Sequence, residues 1–441
     1  MRFRIHKRKV AILFVLLTVA GIATWNVTKA RKQAPRESPK NAVATEQNRI
    51  LSEDRDEYDY FRGRDNVSSN FFDVKIGVKN TSKELKKYIY YQNFYQFIRN
   101  SEKIKAPAKD GLVILVQVHN RPQHLKLLVE SLRKAQRIEE VLLVLSHDYI
   151  SEEVNEVVRT IDFCRVLQIF FPFSLQVYPN EFPGQDPNDC PRDISLEEAR
   201  RLKCNNAEFP DKYAHYREAV FTQTKHHWWW KLHFVWDRLN AINAHDGLVL
   251  LIEEDHYLLP DFYVVLQKMW DMQKRECPDC DILSLGSYDM VDNFEGKSDK
   301  LEGLPWQSSR HNMGMAIGRL TYKRLLACTQ EFCTYDDYNW DWTLQHLTVA
   351  CLPHPLKALV LQAPRVCHTG GCGMHHQGPC DAEGEARRLA EHVAANAPHL
   401  YPTALQILQM HYVSPINPHT VNGGWGDKRD HALCQSYRQL R

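Results

Sequence analysis

The segment Leu248-Val-Leu-Leu-Ile252 is apolar throughout, with no polar alternation, and it stops abruptly at Glu253-Glu-Asp255. Such a run suits a strand buried on both faces, as in a parallel sheet covered by helices on either side. Carboxylates at its carboxyl end would lie where open α/β sheets bind their ligands. On an extended chain Glu253 and Asp255 share one side while Glu254 points to the other, so the three acids cannot all face one ion easily. Oxygen ligands of this kind suit a hard divalent cation that also holds phosphates. The competing reading is a strand that ends in a solvated acidic turn.

The surrounding sequence repeats one grammar. Residues 111–119 form a second buried-strand pattern, and Pro122 suits the first turn of a helix through about residue 134, whose Leu125, Leu127, Leu128 and Leu132 make an apolar face. Strands follow at 141–145, ending in Ser146-His147-Asp148, and at 166–171. A helix over about 223–242 precedes the 248–252 strand, and a helix at 262–274 and a strand at 281–286 follow it. Further on, strands are predicted at 311–317 and 358–361 and a helix at 322–328, with Val366-Cys-His368 closing another apolar stretch. This is a βαβ pattern, so the fold is predicted to be α/β with a mainly parallel central sheet. The folded domain is predicted to begin at Leu85 and run to residue 441; residues 184–215 form a Pro- and Cys-rich insertion.

What precedes it has a different character. Residues 10–27 carry no charge and follow Arg2, Arg4, Lys7, Arg8 and Lys9. That pattern predicts a short cytoplasmic tail (1–9) and a membrane anchor (10–27) with the remainder lumenal. A cleavable signal peptide competes with this, given Ala20 and Ala23, but the apolar run is long for a signal core. Residues 28–84, charged and containing Pro35 and Pro39, read as a stem. Asn66-Val-Ser and Asn80-Thr-Ser are glycosylation acceptors in such a compartment, and Asn26-Val-Thr abuts the membrane. All twelve cysteines lie beyond residue 160, which agrees with an oxidising lumen. Cys277-Pro-Asp-Cys280 reads as a tight local disulfide rather than half of a metal site, and Cys372 with Cys380 likewise. A formal net charge of +2 over 441 residues argues against nucleic acid as a partner.

No GxGxxG, GxxxxGK[ST], GxSxG or HExxH stretch is present, which disfavours hydride transfer on a dinucleotide, P-loop, serine-hydrolase and zincin chemistry. A nucleotide-sugar transferase needs groups for a base and ribose, a cation across the diphosphate, and a general base for the acceptor hydroxyl. Gln117, Val118, His119, Asn120 and Arg121 straddle the end of the first strand, and Asp148 ends the second, where it could accept from ribose hydroxyls. His368 is a candidate second metal ligand beside Asp255. Lys225, His226 and His227 precede Trp228, Trp229 and Trp230, a cluster that binds donor groups or belongs to the core; adjacent helical residues cannot all face one way. Asp337 and Asp341 lie one helical turn apart, and Trp340 and Trp342 would give Asp341 a partly apolar niche that raises its basicity. A solvated acidic helix cap is the alternative there.

Several long stretches together resemble the N-acetylglucosaminyltransferase II family: Val116-Gln-Val-His-Asn-Arg-Pro122, Phe171-Pro-Phe173, Tyr178-Pro-Asn-Glu-Phe-Pro-Gly184, Thr224-Lys-His-His-Trp-Trp-Trp-Lys-Leu-His-Phe-Val-Trp236, Glu253-Glu-Asp-His-Tyr257, Cys333-Thr-Tyr-Asp-Asp-Tyr-Asn-Trp-Asp-Trp-Thr343 and Asn422-Gly-Gly-Trp-Gly-Asp427. The resemblance implies a GT-A type fold and a Mn²⁺-dependent, inverting transfer of GlcNAc from UDP-GlcNAc, in β-1,2 linkage, to the mannose of the α-1,6 arm of N-glycans on glycoproteins. It implies a type II protein of the Golgi membrane and leaves room for a homodimer. On matching positions it implies Asp255 and His368 as metal ligands, Asp341 as the catalytic base, and donor contacts at Gln117, Val118, His119, Asn120, Arg121, Asp148, Gln223, Thr224, Lys225, His226 and His227. It also implies disulfides joining Cys190 to Cys204, Cys277 to Cys280, Cys328 to Cys351, Cys333 to Cys434 and Cys372 to Cys380, with Cys164 and Cys367 free. Transfer to another mannose, on the α-1,3 arm or O-linked, shares this chemistry, and a non-catalytic glycan-binding relative is the alternative from another class.

Overall fold

A computed structural model describes residues 80–288, 291–369, 381–410 and 421–439, and the backbone alone of 372–373 and 376–377. The anchor at 10–27, the stem up to residue 79, its sequons at Asn26 and Asn66, and the pairing of Cys372 with Cys380 lie outside the described residues.

Helix α1 (Ser82–Tyr95) opens the fold slightly before the expected Leu85. The reason is local: the Thr81 hydroxyl accepts from the Glu84 amide while the Glu84 carboxylate accepts from the Thr81 amide, a reciprocal cap that satisfies orphan donors at the helix start. Then follow β1 (Ile98–Arg99), β2 (Leu112–Val118), α2 (Pro122–Arg133), β3 (Leu142–His147), α3 (Glu152–Arg159) and β4 (Arg165–Phe170). The insertion carries the short α4 (Leu196–Leu202) and leads into α5 (Ala219–Arg238), β5 (Leu248–Glu253), β6 (His256–Leu258), α6 (Phe262–Glu276) and β7 (Ile282–Ser284). The second half runs β8 (Lys300–Pro305), α7 (Ser308–His311), β9 (Met315–Gly318), α8 (Arg319–Ala327), α9 (Thr329–Thr334), α10 (Trp340–Ala350), β10 (Lys357–Leu361) and β11 (Val366–His368). A small β12 (Cys372–Gly373) and β13 (His376–Gln377) pair, α11 (Ala382–Asn396), β14 (Gln406–Met410) and α12 (Lys428–Ser436) complete it.

Ten strands form one sheet in the order β1-β4-β3-β2-β5-β9-β7-β10-β8-β14. The block β4-β3-β2-β5 is parallel throughout, as the βαβ pattern predicts. Beyond β5 the sheet is mixed: β9 runs antiparallel to both β5 and β7, and β10 antiparallel to β8. The strand expected at 311–317 starts only at Met315, because the Ser308 amide and hydroxyl are drawn to Gln345 Oε1 and residues 308–311 close into a helical turn.

Burial explains the parallel block. Ile114, Val116, Leu143, Leu145, Leu250 and Ile252 share one core with Leu125, Leu128 and Leu132 of α2 and with Phe262, Leu266 and Met269 of α6. Val113, Leu115, Val144 and Val249 on the alternate positions are equally buried, so both faces are covered. Each such side chain contributes roughly 1.5–3 kcal/mol when fully buried. On the other side the ambiguous tryptophans prove to be core. Trp228 stacks on Trp340 with centroids 4.4 Å apart, Trp229 on Phe332 at 4.2 Å, and Trp230 meets Phe171 edge-on at 5.6 Å. Helix α5 points them in different directions because it is surrounded.

The disulfides Cys190–Cys204, Cys277–Cys280, Cys328–Cys351 and Cys333–Cys434 are formed, and Cys164 and Cys367 are free and buried. The insertion is also fastened by charge. Arg217, buried, donates to Asp430 at 2.8 and 3.1 Å and to the Pro183 and Gly184 carbonyls, while Arg429 reaches Asp189 at 2.6 Å. Removing one partner of a buried ion pair strands the other, so Arg217→Ala is expected to cost about 3–5 kcal/mol in denaturant unfolding. A loss below about 1 kcal/mol would show that this network is dispensable.

Candidate active site

The register of the parallel block decides which side chains meet. Gln117 lies beside Glu253 and beside Ser146, and Val118 beside His147, so the carboxyl ends of β2, β3 and β5 share one edge. The chain leaves that edge through Val118–Arg121, Asp148 and Glu253–Asp255. Two groups of polar residues assemble there.

The first is centred on Asp148. Its Oδ1 lies 2.6 Å from His119 Nδ1, and its Oδ2 lies 3.3 Å from both Gln223 Nε2 and His227 Nδ1. Burial pushes the Asp148 carboxyl up, but the adjacent His119 and His227 outweigh it and hold the group below the ordinary carboxylate range. The same Asp148 charge raises His119 to about 9. Next to this group, Lys231 donates to Gln117 Oε1 at 2.6 Å. Lys231 was not anticipated, yet Gln223, His227 and Lys231 are spaced at successive helical turns on one face of α5, a signal present in the sequence.

The second group is centred on Asp255. Strand β5 ends at Glu253, a tight turn follows, and β6 returns to pair antiparallel with β11, setting His368 opposite His256. That ribbon delivers His368 Nε2 to 3.3 Å from Asp255 Oδ2. Arg121 Nη1 donates to the same oxygen at 2.7 Å, and Arg121 Nε donates to Glu254 Oε1 at 2.7 Å. Glu254, fully buried, accepts also from the His119 amide at 2.8 Å. Glu254 therefore braces the two loops against each other. Burial pushes the Asp255 carboxyl up, whereas His368 and Arg121 reverse the shift and keep it ionised.

Whether these residues fit a cation can be judged from Asp255 itself. Its Oδ1 is buried without a hydrogen-bond partner among the described residues, which leaves a charged oxygen aimed at nothing. A buried, ionised carboxylate with one unused oxygen and a neighbouring imidazole forms a fitting, incomplete donor set for a divalent ion such as Mn²⁺. No group of three or more His, Cys, Asp or Glu placed to hold a metal ion occurs among the described residues, so water or a phosphate-bearing ligand would have to fill the remaining positions.

Asp341 lies in the first turn of α10. Its Oδ1 accepts from the Trp342 amide at 2.9 Å and its Oδ2 from Asn312 Nδ2 at 3.0 Å. Burial pushes its carboxyl up, and these donors offset only part of that. Tyr288 connects the two sides. It is half exposed, its ring lies 6.1 Å from that of His368, and its phenol is pushed up to about 12 by burial and by the nearby Glu253, Asp341 and Asp255 carboxylates. Tyr288 and Asn312 sit in loops with no periodicity around them, so nothing local in the sequence singles them out.

The remaining residues go elsewhere. Lys225 is fully buried and donates to the Tyr335 and Asp337 carbonyls, and His226 lies between Asp430, at 3.0 Å, and the Tyr437 hydroxyl, at 2.9 Å. These two side chains of the anticipated donor set face the carboxyl-terminal segment and not the strand ends, because on a helix they point away from Gln223 and His227. Val118 is also fully buried, its carbonyl accepting from the Asp148 amide, so only its backbone borders the site. Asn120 is exposed at the mouth, and Thr224 is partly buried on α5.

The family model for N-acetylglucosaminyltransferase II matches residues 86–434. The chain belongs to the N-acetylglucosaminyltransferase II family. It is 47% identical over 461 aligned positions to the human alpha-1,6-mannosyl-glycoprotein 2-beta-N-acetylglucosaminyltransferase, covering all of both chains. It is 34% identical to the Arabidopsis thaliana protein of the same name, covering 78% of each. Among solved structures, a mannosyltransferase from Pyrobaculum calidifontis in complex with GDP-Man and Mn²⁺ aligns at 10% identity and a TM-score of 0.30, over 71% of this chain and 74% of the other. The N-acetylglucosaminyltransferase II match spans both polar groups, Asp341, and the segment from Asn422 to Asp427.

Proposed function

We propose that this protein transfers GlcNAc from UDP-GlcNAc to O2 of the mannose on the α-1,6 arm of N-glycans, with inversion, in a GT-A type fold. The observation that carries the reading is full-length similarity to enzymes named for this transfer. The reading is supported by an acidic strand end with an adjacent imidazole, and by Tyr288, which lies near enough to Glu253, Asp255 and Asp341 for all three carboxylates to raise its phenol.

In this reading Asp148, with His119, Gln223 and His227, holds the nucleoside, and Arg121 contributes positive charge beside the diphosphate. Asp255 and His368 would hold Mn²⁺, which when bound offsets the charge on the departing diphosphate. Asp341 takes the proton from the mannose O2 hydroxyl. That oxygen forms a bond to C1 of GlcNAc on the face opposite the diphosphate, the C1–O bond breaks, and the electron pair leaves on UDP. The raised carboxyl of Asp341 suits a base, since basicity closer to working pH makes proton transfer more favourable. The protein is proposed to act in the Golgi lumen as a type II protein anchored by residues 10–27, a reading supported by the basic residues preceding that apolar run.

The test is incubation of the enzyme with UDP-GlcNAc, Mn²⁺ and defined N-glycan acceptors, followed by linkage mapping. A new β-1,2-GlcNAc on the α-1,6 mannose is expected. Product on a different mannose, or an α-anomer, would overturn acceptor choice or stereochemistry respectively.

A further inference from the structure

Three aspartates surround the start of α10, and they meet different fates. Asp336 accepts from the Lys212 and Trp425 amides. Asp337 is fully buried, which removes it from contact with any substrate. Asp341 is partly exposed and lies near Tyr288. Yet Asp337 is the most heavily bonded: its Oδ1 accepts from the Asn339 amide at 2.9 Å, and its Oδ2 from the Asn422 amide at 2.9 Å and Asn422 Nδ2 at 3.0 Å.

Each of these bonds bears on the placement of Asp341. Asn339 is the residue from which α10 departs, so fixing its amide fixes where the helix begins. Thr343, one turn in, donates to the Asn339 carbonyl at 2.8 Å. From behind, Lys225 Nζ holds the carbonyl of Asp337 at 2.8 Å and that of Tyr335 at 3.1 Å. From the other side, residues 421–427 form a strap: the Tyr338 amide donates to the Gly423 carbonyl at 3.1 Å, and the Trp425 indole donates to the Cys333 carbonyl at 2.9 Å. The strap turns through Gly423 and Gly424, both at φ near +75° (76° and 74°). A Cβ on Gly423 would come within 2.3 Å of Asp211 Oδ2, the atom that accepts from the Gly424 amide. Cys333–Cys434 ties the helix before the loop to α12.

We infer that Asp337 is a positioning residue for Asp341, and that the 421–427 strap, acting through Asn422, sets the angle at which the base meets the acceptor. The inference rests on the reading of Asp341 as base. Purely structural packing would need no carboxylate here, because burying one costs free energy unless its oxygens are satisfied. Four donors from two separate segments of the chain converge on it nonetheless.

The experiment compares Asp337→Ala, Asp337→Asn, Asn422→Ala and Asp341→Asn in the full-length enzyme. Turnover is expressed per UDP-binding site counted by titration calorimetry with Mn²⁺, so that misfolded protein does not enter the rate. Asp337→Ala is expected to lower kcat about 100-fold, the scale of a displacement near 1 Å at a reacting group, with the KM for UDP-GlcNAc unchanged. Asn422→Ala, which keeps the backbone donor, is expected to lose about 10-fold on the same scale. Asp337→Asn keeps one acceptor oxygen, enough for the Asn339 amide or the Asn422 amide but not for both, and is expected to restore only part of the rate lost in the alanine variant. Normal kcat per site in both alanine variants would overturn the inference, as would loss of UDP sites in step with activity and no change in the rate of those remaining. If Asp341→Asn itself turns over normally, the assignment of the base fails instead.

Discussion

Asp341→Asn is expected to abolish turnover while leaving UDP-GlcNAc binding nearly intact. The amide preserves one of the two bonds seen here, because its oxygen can accept from the Trp342 amide as Asp341 Oδ1 does at 2.9 Å, while its nitrogen takes the place of the oxygen that accepts from Asn312. It cannot accept the proton of the mannose hydroxyl. Losing general-base catalysis typically costs about 10²–10⁴-fold. Calorimetric titration with UDP-GlcNAc and Mn²⁺ checks the binding half, and a radiolabel transfer assay the catalytic half. If the variant fails to bind the donor, the base lies elsewhere and Asp341 serves the donor site. The wild-type pH profile carries a related expectation. Burial raises the Asp341 carboxyl and the enzyme needs it ionised, so kcat falls as pH drops through that raised value. The acidic limb of kcat therefore lies above the roughly 3.9 of a free aspartate, and Asn312→Ala, by removing a donor to the ionised form, moves the limb to higher pH.

Asp255→Ala is expected to eliminate the Mn²⁺-dependent part of UDP binding. The substitution removes the carboxylate whose Oδ1 is buried without a partner among the described residues, and it leaves Arg121 paired to Glu254 alone. Loss of an outer-shell partner typically weakens metal sites by about 10–100-fold, and loss of a ligand should exceed that. The measurement is UDP affinity with and without Mn²⁺. Wild type should show a large difference between the two conditions and the variant almost none. A variant that keeps the metal effect would refute the assignment, since His368 alone is a poor anchor for a hard cation.

The parts of this architecture that could be read from sequence were those in which one segment satisfies itself. The five-residue apolar run before Glu253 needs burial on both faces wherever it occurs, and βαβ connections then force the β4-β3-β2-β5 block. Beyond β5 the pattern weakens. Strand β8 exposes alternate residues, β14 is an edge strand, and α11 buries few side chains, so none carried a signal distinct from its loops. In the site, Asp255 and Asp341 announced themselves through apolar or aromatic flanks. Glu254 could be read only as an acid pointing away from Glu253 and Asp255, because its partner Arg121 lies 133 residues away, and Asp337 only as a neighbour of Asp341, because its contacts to Asn422 span 85. The tryptophans were undecidable for the opposite reason: side chains of that size fit a core or a sugar equally well, and only Trp340 and Phe332 settle which.

The strap has a consequence for the order in which the molecule becomes an enzyme. Synthesis proceeds from the amino terminus, and the parallel block β4-β3-β2-β5 is complete in sequence once β5 exists. The loop ahead of α10 has no such independence. Its partners, Asn422, Gly423 and Trp425, and the Cys434 that bonds Cys333, emerge 85 or more residues later. Early release of a protein lacking residues 421–436 would leave the loop ahead of α10 without Asn422 and Trp425, and would leave buried Arg217 and His226 without Asp430.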